Sequence, residues 1–264
     1  MTSYRELLTG IRALQIDPTR PLIVHASLSA FGHVNGGAEA LLVALRETFQ
    51  SIMVPTFTYK TMIIPEVGPP DNGILYGSGR DSNRMAEIYH ADMPVDRLMG
   101  SLAELLRRQP DARRSAHPIL SFSGIRCDLA LSFQTLKDPL EPIRALMDAA
   151  GWVLLMGVDH TVNTSIHLGE RLAGRKQFLR WALTRRGALA CPGFPGCSDG
   201  FQDVEPAIGR YARRVQVGSA QITAIPLIEL IRTVREMLGH DPMALLCQRN
   251  TCERCDAVRS SINR

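Results

Sequence analysis

Residues 22–49 read LIVHASLSAFGHVNGGAEALLVALRETF. Leu22 to Ala26 is a short apolar run of the kind that forms a buried strand. Ser27 to Gly37 is a loop of small residues. From Ala38 to Phe49, the apolar residues Leu41, Leu42, Leu45 and Phe49 recur on one helical face. The same alternation continues outward from this stretch. Residues 51–55 and 152–156 are further strand-like runs, while 99–108 and 227–238 repeat the helical spacing. Pro226 suits the first turn of the last of these helices. Near the start, Ser3 and Glu6 have capping-box spacing ahead of Leu7, Leu8, Ile11 and Leu14. Strands alternating with helices imply a layered α/β fold. Two stretches rich in Pro and Gly, 61–96 and 187–206, read as long loops, and long loops in compact domains are often functional. No linker or repeat divides the chain, so residues 1–264 are expected to form one domain with a Cys-rich segment from about 240 packed on it.

Bulk properties remove several function classes. The chain has 264 residues, 45% of them apolar, enough for a sizeable core. Its net charge of +4 comes from 30 basic and 26 acidic residues spread along the sequence. The basic clusters are short doublets such as Arg107-Arg108 and Arg213-Arg214, without the concentrated basic face of a nucleic-acid binder. The first ten residues lack the apolar core of a signal peptide. The longest apolar runs, such as WVLLMGV at 152–158, are far short of the roughly 20 residues of a membrane span. A soluble cytoplasmic protein is expected. In a reducing compartment its six cysteines read as thiols or metal ligands rather than disulfides.

Two segments carry chemistry. The Ser27–Gly37 loop opens into a helix, so its free N–H groups and the helix dipole favour a phosphate or another anion. It lacks the Gly-Lys-Ser/Thr ending of a P-loop and the GxGxxG spacing of a dinucleotide fold. An ordinary strand-to-helix connection fits it equally well. The second segment is Asn163-Thr-Ser-Ile-His-Leu-Gly-Glu170. Asn163 or Thr164 can cap a helix on which His167 and Glu170, at i and i+3, share a face. A carboxylate there fixes the imidazole tautomer and stabilises the imidazolium, as a general base requires. A structural histidine fits the spacing too, and so does a His-x-x-Glu pair of metal ligands.

Several segments in order resemble the aminoglycoside 3-N-acetyltransferases, antibiotic N-acetyltransferases not built on the GNAT fold. They are His25-Ala-Ser-Leu-Ser-Ala-Phe-Gly32 with Gly36-Gly37, Val54-Pro-Thr-Phe-Thr-Tyr59, Met99-Gly100, Arg114-Ser-Ala-His-Pro118, Ser121-Phe122, Leu154-Leu-Met-Gly157 and Asn163 to Glu170. A GNAT-type Q/R-x-x-G-x-G/A loop is missing. The resemblance implies a layered α/β/α fold around a central mixed sheet, acetyl-CoA as co-substrate and a small-molecule amine as acceptor. Carried over residue by residue, Ser27, Leu28, Ser29, Phe31, Gly32, Val34 and Gly37 would approach coenzyme A, with Thr56, Arg114, Ser115 and His117 nearby. His167 would be the general base, with Glu170 and Thr164 beside it. Where the family often has two serines, this chain has Ala26-Ser27, and a backbone N–H can serve in place of the missing hydroxyl. Tyr59, Asp71, Glu87 and Asp92 are expected on the acceptor side, since an aminoglycoside is a polycation. Glu66 and Asp81 lie in the same long loop, but Lys60, Arg80 and Arg84 are mixed among these acids. An acceptor other than an aminoglycoside therefore stays open, as does the choice between resistance and biosynthesis.

Cys247-x4-Cys252-x2-Cys255 closes the chain, and Cys197 sits in the second Pro/Gly loop. Cys-x2-Cys is a common half of a structural zinc site, and these four residues are the expected ligands. Cys127 stands alone and reads as a small packed apolar residue. Two other classes remain beside acetyl transfer: a metal-dependent hydrolase using His167 and Glu170 as ligands, and a non-catalytic relative that binds coenzyme A.

Overall fold

The computed structural model describes residues 1–262. Its strands in chain order are β1 (Leu22–Ala26), β2 (Ile52–Pro55), β3 (Met62–Ile63), β4 (Ala112–Arg114), β5 (Phe122–Ile125), β6 (Trp152–Met156), β7 (Phe178–Thr184), β8 (Gly187–Phe194), β9 (Arg213–Val217) and β10 (Ala220–Pro226). The helices are α1 (Tyr4–Ala13), α2 (Gly37–Thr48), α3 (Arg80–Met85), α4 (Gly100–Arg107), α5 (Asp128–Ser132), α6 (Glu141–Asp148), α7 (Ser165–Leu172), α8 (Glu205–Ile208), α9 (Leu227–His240) and α10 (Glu253–Ile262).

Seven strands form one mixed sheet in the order β4-β5-β2-β1-β6-β10-β9. Strand β1 runs parallel to both β2 and β6, while β5 and β10 join antiparallel on either side. Side chains alternate across a strand. Leu22 and Val24 of β1, with Leu154 and Met156 of β6, therefore enter one core with α1, α2 and α4. Ile23, Val153 and Leu155 enter the opposite core with α6, α7 and α9. Both faces are covered, which is why these strands read as continuous apolar runs. The capping box forms in full: the Ser3 hydroxyl accepts from the Glu6 N–H, and Glu6 accepts from the Ser3 N–H. No helix among the described residues is long and apolar enough to cross a membrane.

The two expected loops are partly regular. Residues 187–194 form β8, which pairs with β7 and lies at the edge of a three-stranded sheet ordered β3-β7-β8. Its Pro192 and Gly193 hide the strand pattern, and an edge strand tolerates both. The 61–96 stretch contains β3 and α3.

Candidate active site

The carboxyl ends of β1, β2 and β6 open into a cleft of about 1240 Å³. Chain order reverses at β1, which lies between β2 and β6, and ligands of open α/β sheets bind at such a switch point. Beyond β1, Leu28–Phe31 turns as a 3-10 helix. Ser27 donates its N–H to the Met156 carbonyl, and its hydroxyl lies 3.1 Å from that of Ser29. Gly157 lets this turn close onto β6. Its φ is +67°, and a Cβ there would lie 2.5 Å from Cβ of Ala30.

Beyond β6, α7 carries His167 into the cleft wall. Thr164 stands at the N-cap position without a side-chain capping bond, and the side-chain oxygen of Asn163 accepts from the Ser165 N–H at 3.2 Å. The amide nitrogen of Asn163 lies 3.2 Å from Nδ1 of His160, whose Nε2 meets Glu205 at 3.0 Å. This chain of contacts holds the start of α7 from behind. Nδ1 of His167 lies 2.7 Å from Oε2 of Glu170. Arg175 donates to Oε1 of the same carboxylate at 2.8 Å, and to the carbonyls of Pro242 and Ala244. Glu170 is 1% exposed, so its charge is held by these two partners rather than by water. A carboxylate on Nδ1 makes that nitrogen the donor and leaves Nε2 with the lone pair. The ring also packs edge-on to Phe201, with centroids 4.6 Å apart. Thr164 lines the cleft beside it. The arrangement is that of a base with its orienter.

The expected site residues divide into two groups. Ser27, Leu28, Ser29, Gly32, Val34, Tyr59, Thr164 and His167 line one cleft, and Glu170 stands directly behind His167. Phe31 is buried beneath the turn, and Gly37 opens α2 away from the cleft lining. Arg114, Ser115, His117 and Thr56 lie outside the lining, and each is engaged in hydrogen bonds within the fold. Arg114 donates to the carbonyls of Thr56, Met93 and Ala91 and to the Ser121 hydroxyl. Four of its N–H donors are thereby committed, to three carbonyls and one hydroxyl, so most of its hydrogen-bonding capacity is spent within the fold. Thr56 donates to the Ser121 carbonyl, and Ser115 accepts from the Phe122 N–H. Nδ1 of His117 accepts from the N–H groups of Ile119 and Leu120.

On the acceptor side, Asp71, Glu87 and Asp92 do not line the cleft, and Glu87 pairs with Lys60 at 2.8 Å. The carboxylate that does line it is Asp199. Arg97, Arg180 and Arg254 line it as well, and no spacing in the sequence singled them out. Arg180 lies between the rings of Phe178 and Phe194, and burial together with the nearby Arg254 lowers its pKa to about 10. The cleft also receives the start of α4, from Leu98 to Ser101, rather than the start of α2. His25, a further lining residue, is held neutral by burial and then by neighbouring His160, with a pKa lowered to about 3.

The sulfurs of Cys197, Cys247, Cys252 and Cys255 lie within 4.8 Å of one another, and all four residues are buried. Cys127 is buried separately, its thiol donating to the Ile125 carbonyl at 3.4 Å.

The chain is similar to several known proteins. It is 28% identical to an aminoglycoside N(3)-acetyltransferase III of a Salmonella species over 84% of this chain and 86% of that one. It is 32% identical to the prophage-derived aminoglycoside N(3')-acetyltransferase-like protein YokD of Bacillus subtilis, a match spanning 63% of this chain and 64% of that protein. Among solved structures, the apoenzyme of aminoglycoside acetyltransferase AAC(3)-IVa superposes with a TM-score of 0.79 at 24% identity, over 98% of each chain. The layered fold with its seven-stranded mixed sheet is thus that of these acetyltransferases and not of GNAT enzymes. The model of the aminoglycoside 3-N-acetyltransferases matches residues 23–239, and the chain belongs to that family of acyltransferases.

Proposed function

We propose that this protein, acting as one cytoplasmic catalytic unit, transfers the acetyl group of acetyl-CoA to an amine of an aminoglycoside. The observation that carries the reading is the Arg175–Glu170–His167 series ending at the cleft. An amine attacks a thioester only as its free base. Nε2 of His167 accepts the ammonium proton as the N–C bond forms, and Glu170 stabilises the resulting imidazolium. The C–S bond then breaks, and the proton passes from His167 to the departing thiolate. The Thr164 hydroxyl, on the cleft lining beside His167, is the candidate donor to the oxyanion. The turn of Ser27, Leu28 and Ser29, with Gly32, Val34 and the Arg97–Ser101 segment, offers hydroxyls, N–H groups and a cation suited to coenzyme A. A relative of the same fold is described in a binary complex with CoASH, and others with sisomicin, a gentamicin or apramycin.

One observation favours a second acceptor class. Among the described residues, Arg180 and Arg254 line the cleft with Asp199 in addition to the Arg97 assigned to coenzyme A, a balance that suits an amine bearing an anionic group better than a polycation. A thiol-release assay with acetyl-CoA against aminoglycosides and against amines carrying a carboxylate or phosphate separates the two. With the preferred acceptor, His167→Ala is expected to lower kcat by roughly 10²–10⁴-fold while coenzyme A still binds. Near-normal turnover in that variant rejects the role of His167. No thiol release with any acceptor, together with a hydrolytic activity that chelator abolishes, points instead to metal-dependent hydrolysis.

A further inference from the structure

We propose that Cys197, Cys247, Cys252 and Cys255 bind one zinc ion, and that this ion builds one wall of the active-site cleft. The geometry fits zinc closely. A tetrahedron with Zn–S bonds of about 2.3 Å has S–S edges of about 3.8 Å. The four sulfurs already lie within 4.8 Å of one another, so the shell closes on the metal with only small side-chain movements. Cys255 is fully buried.

The surroundings suit thiolates. The Asp199 N–H donates to Sγ of Cys197 at 3.5 Å, and Nη2 of Arg249 lies 3.8 Å from the same sulfur. Arg249 also pairs with Asp199, and Arg259 donates to the Cys247 carbonyl. Zinc with four thiolates carries two net negative charges. Arginines on the periphery and N–H donors to sulfur are what such a centre needs around it. Helix α10 has a weak apolar face, burying only Cys255, Ala257 and Val258. A metal bond supplies the anchorage that so small an apolar contact cannot.

The ligands also flank the cleft. Pro195, Gly196, Ser198 and Asp199 surround Cys197 in sequence and line the cleft, as does Arg254, which lies between Cys252 and Cys255. Arg254 donates to the Gly196 carbonyl at 2.9 Å, joining the two ligand-bearing segments. The ion thus fixes a strand end and a helix start against each other at the edge of the cavity. Its effect on acceptor binding rests on the acetyl-transfer reading, whereas its presence does not.

The test uses the full chain, expressed without added zinc. Elemental analysis is expected to find about one zinc per chain. Growth with cobalt in place of zinc is expected to give the strong visible bands of tetrahedral cobalt–thiolate. Metal below about a tenth of an equivalent, with four reactive thiols or with two disulfides by intact mass, overturns the site. Cys255→Ser is expected to lose the metal, and full retention overturns the ligand set. Because that variant can misfold, Arg254→Ala probes the wall separately. It is expected to keep its zinc and its KM for acetyl-CoA while KM for the acceptor rises about tenfold. An unchanged acceptor KM overturns the wall. A zinc-loaded chain that acetylates no amine refutes the acetyl-transfer reading and leaves the metal site standing.

Discussion

His167 and Glu170 meet at 2.7 Å across one turn of α7, and the carboxylate is held from its other oxygen by Arg175. The carboxylate can neither rotate away nor trade its charge for water, because both of its oxygens are engaged and the residue is buried. The imidazole is therefore locked with one nitrogen committed and the other left for the cleft.

Glu170→Gln keeps the side-chain length and removes the charge. It is expected to lower kcat about tenfold or more with little change in KM for acetyl-CoA. An unchanged kcat would show that the carboxylate only positions the helix. Arg175→Met leaves the carboxylate buried with a single partner. That change is expected to cost about 3–5 kcal/mol, read by guanidinium unfolding.

Arg114 separates a phosphate contact from a structural strap. Lysine keeps the charge and loses the fork that reaches three carbonyls and a hydroxyl. Arg114→Lys is expected to destabilise the fold by about 1–3 kcal/mol while leaving coenzyme A affinity unchanged in calorimetry. A large loss of affinity without loss of stability would assign Arg114 to the ligand.

His117 sets a pH dependence. Burial pushes its pKa down to about 4 from an ordinary 6.5, and Nδ1 must stay unprotonated to accept from Ile119 and Leu120. The unfolded chain takes up the proton first, so stability is present above pH 6.5 and falls as pH drops toward 4. The loss from this group between neutrality and pH 5 is about 2 kcal/mol. His117→Asn retains an acceptor near Nδ1 and does not titrate. Urea unfolding at both pH values is expected to show a decline smaller by that amount, and an equal decline removes His117 as its source.

Gly157→Ala places a methyl group against Ala30 and 3.3 Å from the Ser27 carbonyl oxygen, at a φ that L residues rarely adopt. The expected cost is about 1–3 kcal/mol, with a raised KM for acetyl-CoA because the Ser27–Phe31 turn is pushed outward. A raised KM for the acceptor alone would place the turn on the other side of the reaction.

The central strands were legible because burial on both faces makes them apolar throughout, as in Leu22–Ala26 and Trp152–Met156. The His167–Glu170 pair was legible because helical spacing alone brings i and i+3 together. Strand β8 was obscured by Pro192 and Gly193, which an edge position permits. The β9–β10 hairpin carried a usable signal: Val215, Gln216 and Val217 alternate ahead of Gly218-Ser219, a two-residue turn, and Ile222 follows on the other side. Arg114 could not be placed from the sequence for a different reason. Linear spacing does not say whether a guanidinium faces a ligand or its own backbone. Arg97, Arg180 and Arg254 come to the cleft from distant parts of the chain, so only the folded path brings them together.

The cleft's two walls have separate origins. One is the rim of the seven-stranded sheet, with the Ser27 turn and His167. The other comes from the three-stranded sheet, through Arg180 and Phe194, and from the cysteine-bound segments. The second wall packs into the same core as the first, Phe194 and Cys197 with Ile23 and Leu155, so the part of it that can change freely is its cleft-facing surface. An evolving lineage can therefore exchange one molecular partner for another by resurfacing the smaller sheet, while the machinery that moves protons is inherited intact.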